Sequence, residues 1–275
     1  QDFAAPALDD QEQAVQNLNI DFEALEQINY LDGESEAVVG GGEEVNRLFI
    51  ENQSQDTVFI MAGEVVKGGK QDRVIAQDMV IPPNSGPIDL SVFCVEKGRW
   101  HYGTTEAADF GGYGNFASMN VREAAVLETE QSAVWDSVAV VTNFNDATSS
   151  TSAYTALEAS EDYQEELAHY IKEFSDLPEI SPSVVGVVVV SGDKVIGCDM
   201  FATPALFKQS YPNLLHAYAT QAITRGSDVT LKDAAVQDYL SEFLSDETKL
   251  EEALEGNGSV LEYNSKKVHI STFGK

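Results

Sequence analysis

Val184-Val185-Gly186-Val187-Val188-Val189-Val190-Ser191-Gly192-Asp193-Lys194-Val195-Ile196-Gly197-Cys198-Asp199-Met200-Phe201 consists of two apolar runs about a polar turn. Val184 to Val190 is the longest uncharged aliphatic stretch of the chain, far shorter than the ~20 residues that cross a bilayer. The two runs, Val184 to Val190 and Lys194 to Met200, therefore read as a β-hairpin turning at Ser191-Gly192-Asp193. Helical periodicity lies on both sides of it. Upstream, Tyr163, Leu167, Tyr170, Ile171 and Phe174 form one face of a helix spanning about 157–174, a face expected to pack on a core. Downstream, helices are expected over 204–224, bent near Pro212, and over 231–245. Two closing strands follow at Val260 to Tyr263 and Lys267 to Phe273.

The first half reads differently. Phe22, Leu25 and Ile28 suggest a short helix from Ile20 to Leu31 before the Asp32-Gly33 turn. Val45 to Glu51 and Thr57 to Ala62 suggest a hairpin across Asn52-Gln53-Ser54-Gln55-Asp56, and Arg73 to Ile81 a further strand that Pro82-Pro83-Asn84-Ser85-Gly86 terminates. Ile88, Leu90, Val92 and Cys94 then share one face of a strand. If that strand continues, Glu96 points the same way and needs a partner, with Lys97 or Arg99 nearest in sequence. The expected fold is α+β: a β-rich N-terminal half, sandwich- or barrel-like, packed with a helical and mixed-sheet C-terminal half. Residues 1–19 read as an acidic arm and 20–275 as one unit, with its β-rich part at 36–102 and its α+β part at 115–273.

Charge limits the function. Sixteen Lys and Arg against 46 Asp and Glu leave a net of -30 in 275 residues. Such a body repels double-stranded nucleic acid and anionic membranes, whose phosphates demand cations. The acidity fits a solvated coat for a salty medium. No stretch has the ligand spacing of a calcium loop, and neither a metal nor a cofactor is expected. Cys94 and Cys198 lack CxxC spacing and read as small core residues, although one bridge between them is conceivable. With Gln rather than Met first, export to an extracellular or periplasmic space is expected; the alternative is the cytoplasm of a salt-accumulating organism.

In so acidic a chain, a group of cations is informative. Lys67, Lys70, Arg73, Lys97 and Arg99 fall within the 33 positions 67–99, where even spacing gives about two. They lie in GEVVKGGKQDR (Gly63 to Arg73) and CVEKGRWHY (Cys94 to Tyr102). Gly68 and Gly69 let backbone amides approach an anion while Lys70 and Arg73 add charge. The first string is not a Walker A loop: five residues, not four, separate Gly63 from Gly69-Lys70, and Gln71 stands where Ser or Thr is required. A second reading has the cations pair with Glu64, Asp72 and Glu96 and fasten two strands. His101, His169, His216 and His269 make no metal motif. Only His101 adjoins the basic segment, and no GxSxG elbow supports a serine triad.

Both strings closely resemble the ADP-ribosylglycohydrolase and rhodanese-phosphatase superfamily associated protein domain family. The resemblance runs on through VVGVVVVSGDKVIGCDMF, SYPNLLHAYATQAI and KKVHISTF, about residues 20–273. It places Glu64, Lys70, Gln71, Arg73, Cys94, Glu96, Gly98, Arg99 and Trp100 at the family's characteristic polar positions. Asp72 departs from the pattern, where Asn is expected. The association implies a link to nucleotide or ADP-ribose metabolism and brings no catalytic mechanism with it. The expected function is binding of a small anionic ligand by Gly68, Gly69, Lys70, Gln71, Arg73, Arg99 and Trp100, with Arg99 as a bidentate fork and Trp100 as a stacking face. Glu64, Glu96 and His101 are the candidate acid–base residues of an enzymatic variant. The alternative is an extracellular subunit that self-assembles, as homo-oligomer or filament, through its N-terminal arm and edge strands.

Overall fold

Short runs of β-branched and aromatic residues, cut by Gly, Pro and Asn, make the first half strand. In the computed structural model, which describes residues 28–32, 46–68, 71–98 and 113–274, these runs become β1 (Ile28–Asp32), β2 (Arg47–Asn52), β3 (Val58–Ile60), β4 (Glu64–Val66), β5 (Arg73–Ile75), β6 (Met79–Ile81), β7 (Ile88–Cys94) and β8 (Tyr113–Phe116). Six of them form a curled antiparallel sheet in the order β1-β2-β7-β5-β4-β8, and β3 pairs with β6 apart from it. Leu48, Ile50, Val66, Ile75, Leu90 and Val92 of the sheet pack against Val58, Ile60 and Ile81 of the β3–β6 pair. The α+β architecture and the strand-rich, half-barrel first part match the reading from sequence.

The structure departs from three local expectations. Ile28–Asp32 is a strand, not the end of a helix, because it ladders along β2 with Ile28 opposite Asn52 and Asp32 opposite Leu48; residues 20–27 lie outside the described residues. The segments either side of residues 52–56 do not form a hairpin. Asn52, wholly buried, donates from Nδ2 to the carbonyls of Asp56, Ile81 and Pro82 and accepts at Oδ1 from the Ser54 amide and hydroxyl. That hub turns the chain out of the sheet, and β3 finds β6 instead. Finally, Arg73 to Ile81 is two strands, because Asp78 leaves the ladder to accept from the Ala62 amide at 2.8 Å.

The second half opens with α1 (Met119–Glu123), which passes into a π-helical turn, Ala124–Glu128, closed by left-handed Thr129 donating to the Ala124 carbonyl. Next come α2 (Gln131–Phe144), a 3-10 turn at Tyr154–Ala159 and α3 (Glu161–Phe174). Tyr163 and Leu167 of α3 are buried, but Phe174 is 44% exposed, so the last turn leaves the core. The hairpin is β9 (Gly186–Ser191) and β10 (Lys194–Phe201), followed by α4 (Pro204–Arg225), α5 (Asp233–Leu244), α6 (Glu247–Leu254), β11 (Gly258–Tyr263) and β12 (Lys266–Phe273). Thr203 caps α4 by accepting from the Leu206 amide, and Pro204 sits where no amide is needed.

The closing sheet has the order β11-β12-β10-β9, all antiparallel. One face packs on α4 through Val187, Val189 and Ile196; the other packs on α5 and α6 through Val188, Met200 and Ile270. Gly197 in β10 lets Met119 and Tyr218 pack close against the strand, since a Cβ there would meet the end of the Met119 side chain at 2.7 Å and the Tyr218 ring at 3.1 Å. Both free cysteines are buried, Cys94 in β7 and Cys198 in β10. No helix among the described residues is long and apolar enough to cross a membrane.

Candidate functional site

Antiparallel pairing brings the two basic strings together. Arg73 at the start of β5 stands opposite Cys94 at the end of β7 and, on its other side, opposite Val66. From there the connections are tight. Gln71 Nε2 donates to the Glu96 carbonyl at 2.7 Å, the Asp72 amide donates to Glu96 Oε2 at 3.2 Å, and the Gly68 amide, at φ +119°, donates to Asp72 Oδ1 at 3.1 Å. Thr155 Oγ1 donates to Asp72 Oδ2. Gln131 at the head of α2 holds Cys94 by both backbone groups. Asp72 thus acts as an internal anion that orders the Gly68 turn.

Arg73 is 2% exposed. Its Nη1 donates to the Gln71 carbonyl at 2.8 Å, while Nε has no hydrogen-bond partner. None of the ion pairs among the described residues includes it. Glu96 is buried and faces Asp72 rather than Lys97, which is exposed and lies 5.0 Å over the Trp135 ring. Lys67 pairs with Glu158 at the surface. Gly69, Lys70, Arg99, Trp100 and His101 lie outside the described residues.

Glu64 belongs to a second constellation that sequence reasoning did not assemble. Asp199 of β10 receives both Arg122 nitrogens of α1, Nη1 at 3.0 Å and Nη2 at 2.7 Å, and the Tyr218 hydroxyl of α4. His269 of β12 bridges Asp199 (Nε2, 3.0 Å) and Asp78 (Nδ1, 2.6 Å). Phe201 stacks on the imidazole at 4.3 Å between centroids, and Arg122 lies 5.5 Å from the Phe273 ring centroid and 5.7 Å from that of Phe116. Arg122, Asp199 and His269 are wholly buried.

Burial disfavours charge on His269, but Asp78 and Asp199 outweigh it and raise the imidazole to about 9. Burial likewise opposes ionised Asp199, yet Arg122 and His269 hold its carboxyl far below the carboxylate range, and Asp78 is lowered against the same penalty chiefly by His269. Two cations therefore balance two anions at neutral pH. Glu64 behaves differently: burial, partly relieved by the Met61 amide at 2.9 Å and reinforced by Asp78, pushes it up to about 8, and Oε2 has no partner. It is a neutral acid at pH 7, enclosed beside the network.

Six elements meet there, the Ala76–Asp78 break and β4 from the first half and α1, β10, α4 and β12 from the second. The arrangement is closed, so its chemistry is cohesion: it fastens the half-barrel to the second sheet. A sequence signal for it exists in Asp199 and His269, each a polar residue within an apolar strand. Asp78 and Arg122 carry no comparable signal.

Compared with known proteins, residues 13–273 match the sequence model of the ARG and Rhodanese-Phosphatase-superfamily-associated Protein domain. No curated protein and no solved structure matches the chain.

Proposed function

Because the chain belongs to the ARG and Rhodanese-Phosphatase-superfamily-associated Protein domain family, and the two basic strings meet on adjacent strands, we propose that it binds a small anion of nucleotide or ADP-ribose type beside Arg73. The observation that carries this reading is the guanidinium itself: buried, with an unpaired Nε and no ion pair among the described residues. Leaving a charge in that state costs several kcal/mol. A phosphate oxygen supplied from outside removes the penalty, and Arg is the side chain suited to a two-point grip on it. Lys70, Arg99 and Trp100 belong to the same two strings and complete the proposed site.

Asp72 limits the site's chemistry. With the Gly68 amide turned to its carboxylate, the ligand is held by side-chain cations rather than by a cradle of backbone amides. The reading assigns binding, not turnover. The acidic composition supports a salt-rich or extracellular setting for it.

Thermal-shift measurements with ADP-ribose, ADP, AMP and ribose 5-phosphate test the proposal. The wild type is expected to respond to at least one of them. Arg73→Lys should weaken binding about tenfold by losing the fork, roughly one charge-assisted hydrogen bond. Arg73→Met should abolish the response while leaving the unliganded protein as stable as before or more so, since it removes an uncompensated charge. Silence of the wild type toward all four ligands rejects the reading, as does an Arg73→Met protein that keeps its response.

A further inference from the structure

The closing sheet ends on β9, and among the described residues no strand pairs with its outer edge. Phe201 donates its amide to the Val185 carbonyl, and Asp199 and Gly197 stand opposite Val187 and Val189. In an antiparallel ladder the bonds to β10 therefore fall on Val187 and Val189, and the amides and carbonyls of Gly186 and Val188 point away from the sheet. No group among the described residues meets them. All six residues of β9 are partly exposed, whereas Gly197, Cys198, Asp199 and Phe201 of the neighbouring β10 are buried.

Among the described residues no charge guards the strand Gly186–Ser191 itself; Pro182 lies before it, and the irregularity in its pairing falls between Val195 and Gly197 of β10. Natural edge strands are guarded by lysine, proline, a bulge or an inward charge; residues 180–192 contain no charged side chain, in a chain that carries 62 Asp, Glu, Lys and Arg. Beside the edge runs a groove of about 540 Å³, walled by β9 on one side and by Tyr211, Leu215 and Ala222 of α4 on the other. Phe174 and Val229 line it while 44% and 58% exposed.

We propose that this edge is a dimer interface, with β9 of a second copy pairing antiparallel to it so that the four-stranded sheet continues across a two-fold axis. Two features single out a second copy over a peptide. First, β9 is apolar toward both layers: Val187 and Val189 face α4, and Val188 faces α5 and α6. A strand added in its plane meets helices on both faces, and only a strand carrying its own helices on both faces continues those layers without leaving one wet. A second β9 does this by symmetry. Second, paired Val and Gly residues set no like charges opposite one another, and the groove beside them has a single charged lining residue, Asp228, so the general repulsion between two bodies of net charge -30 is less felt here than on the acidic surface elsewhere.

Light scattering and sedimentation equilibrium over a range of protein and salt concentrations test it. The wild type should weigh twice the 29.9 kDa of the chain and dimerise more tightly as NaCl rises from about 0.05 to 0.5 M, because salt screens the repulsion while the contact itself is apolar. Val188→Pro removes an outward amide without touching the bonds to β10, and Val190→Lys adds an edge charge; each should raise the dissociation constant at least tenfold with circular dichroism unchanged. A wild-type monomer at every concentration overturns the proposal. A dimer that survives both substitutions, or that deletion of residues 1–19 abolishes instead, overturns it equally.

Discussion

Asp199→Ala is expected to cost about 3–5 kcal/mol, the range for breaking one side of a buried ion pair, and to lower the melting temperature by on the order of 10 °C. The substitution leaves the Arg122 guanidinium in a wholly buried site, deprives the Tyr218 hydroxyl of its acceptor and takes one of two carboxylates from His269. Since domains are stable by only ~5–15 kcal/mol, a large part of the total is lost. Arg47→Ala provides the contrast. It removes a bond to Asp89 whose partners are 57% and 49% exposed, and about 0–1 kcal/mol is expected from such a pair. The double variant Arg122→Met with Asp199→Leu should recover much of the loss, because it removes both desolvated charges together. Urea midpoints at constant m-value decide the matter: a loss below about 1 kcal/mol for Asp199→Ala would show that the network does not fasten the two halves.

Periodicity announced the strand of Ile88, Leu90, Val92 and Cys94 and the hairpin around Gly192, because each is recorded in neighbouring residues. Pairing partners are not so recorded. Nothing in Thr57 to Ala62 says that β3 will desert β2 for β6; that depends on Asn52 reaching the carbonyls of Ile81 and Pro82, 29 and 30 positions away. The helical spacing of Phe22, Leu25 and Ile28 gave way, at Ile28–Asp32, to the ladder offered by β2.

The site shows the same division. The cation island was legible because charge counts are local, and the convergence of its two strings follows once β5 lies beside β7. The buried network was not, since its members come from positions 78, 122, 199, 218 and 269 and no two share a motif. His269 illustrates the difference: beside Val268 and Ile270 it reads as a lone strand histidine, and only the fold puts a carboxylate on each of its nitrogens.

Stability should peak between about pH 4 and 4.5 and fall on both sides. On the acid side, Asp78 and Asp199 have folded-state values below their ordinary 3.8; what they contribute is present above that value and is lost as pH drops below about 4. On the alkaline side, His269 is raised from 6.5 to about 9. Its contribution is complete below 6.5 and disappears as pH climbs through 9, roughly 3 kcal/mol at 1.36 kcal/mol per unit. Glu64 acts in the same direction over a lower window: raised from 4.5 to about 8, it keeps its proton in the folded protein while the unfolded chain sheds one, so stability declines steadily from pH 4.5 to 8. General repulsion in a chain of net charge -30 also grows with pH, but 1 M salt shortens its range to about 3 Å and leaves buried pairs nearly untouched. Urea unfolding in 1 M NaCl should therefore still show a protein weaker at pH 9 than at pH 5 by a few kcal/mol. Glu64→Gln, which presents a permanently neutral group of the same shape, should flatten the decline between pH 5 and 8 and leave the later His269 step in place. A flat profile from pH 5 to 9 in high salt, or one that Glu64→Gln does not alter, would show that these groups are not held in the protonation states their burial and partners dictate.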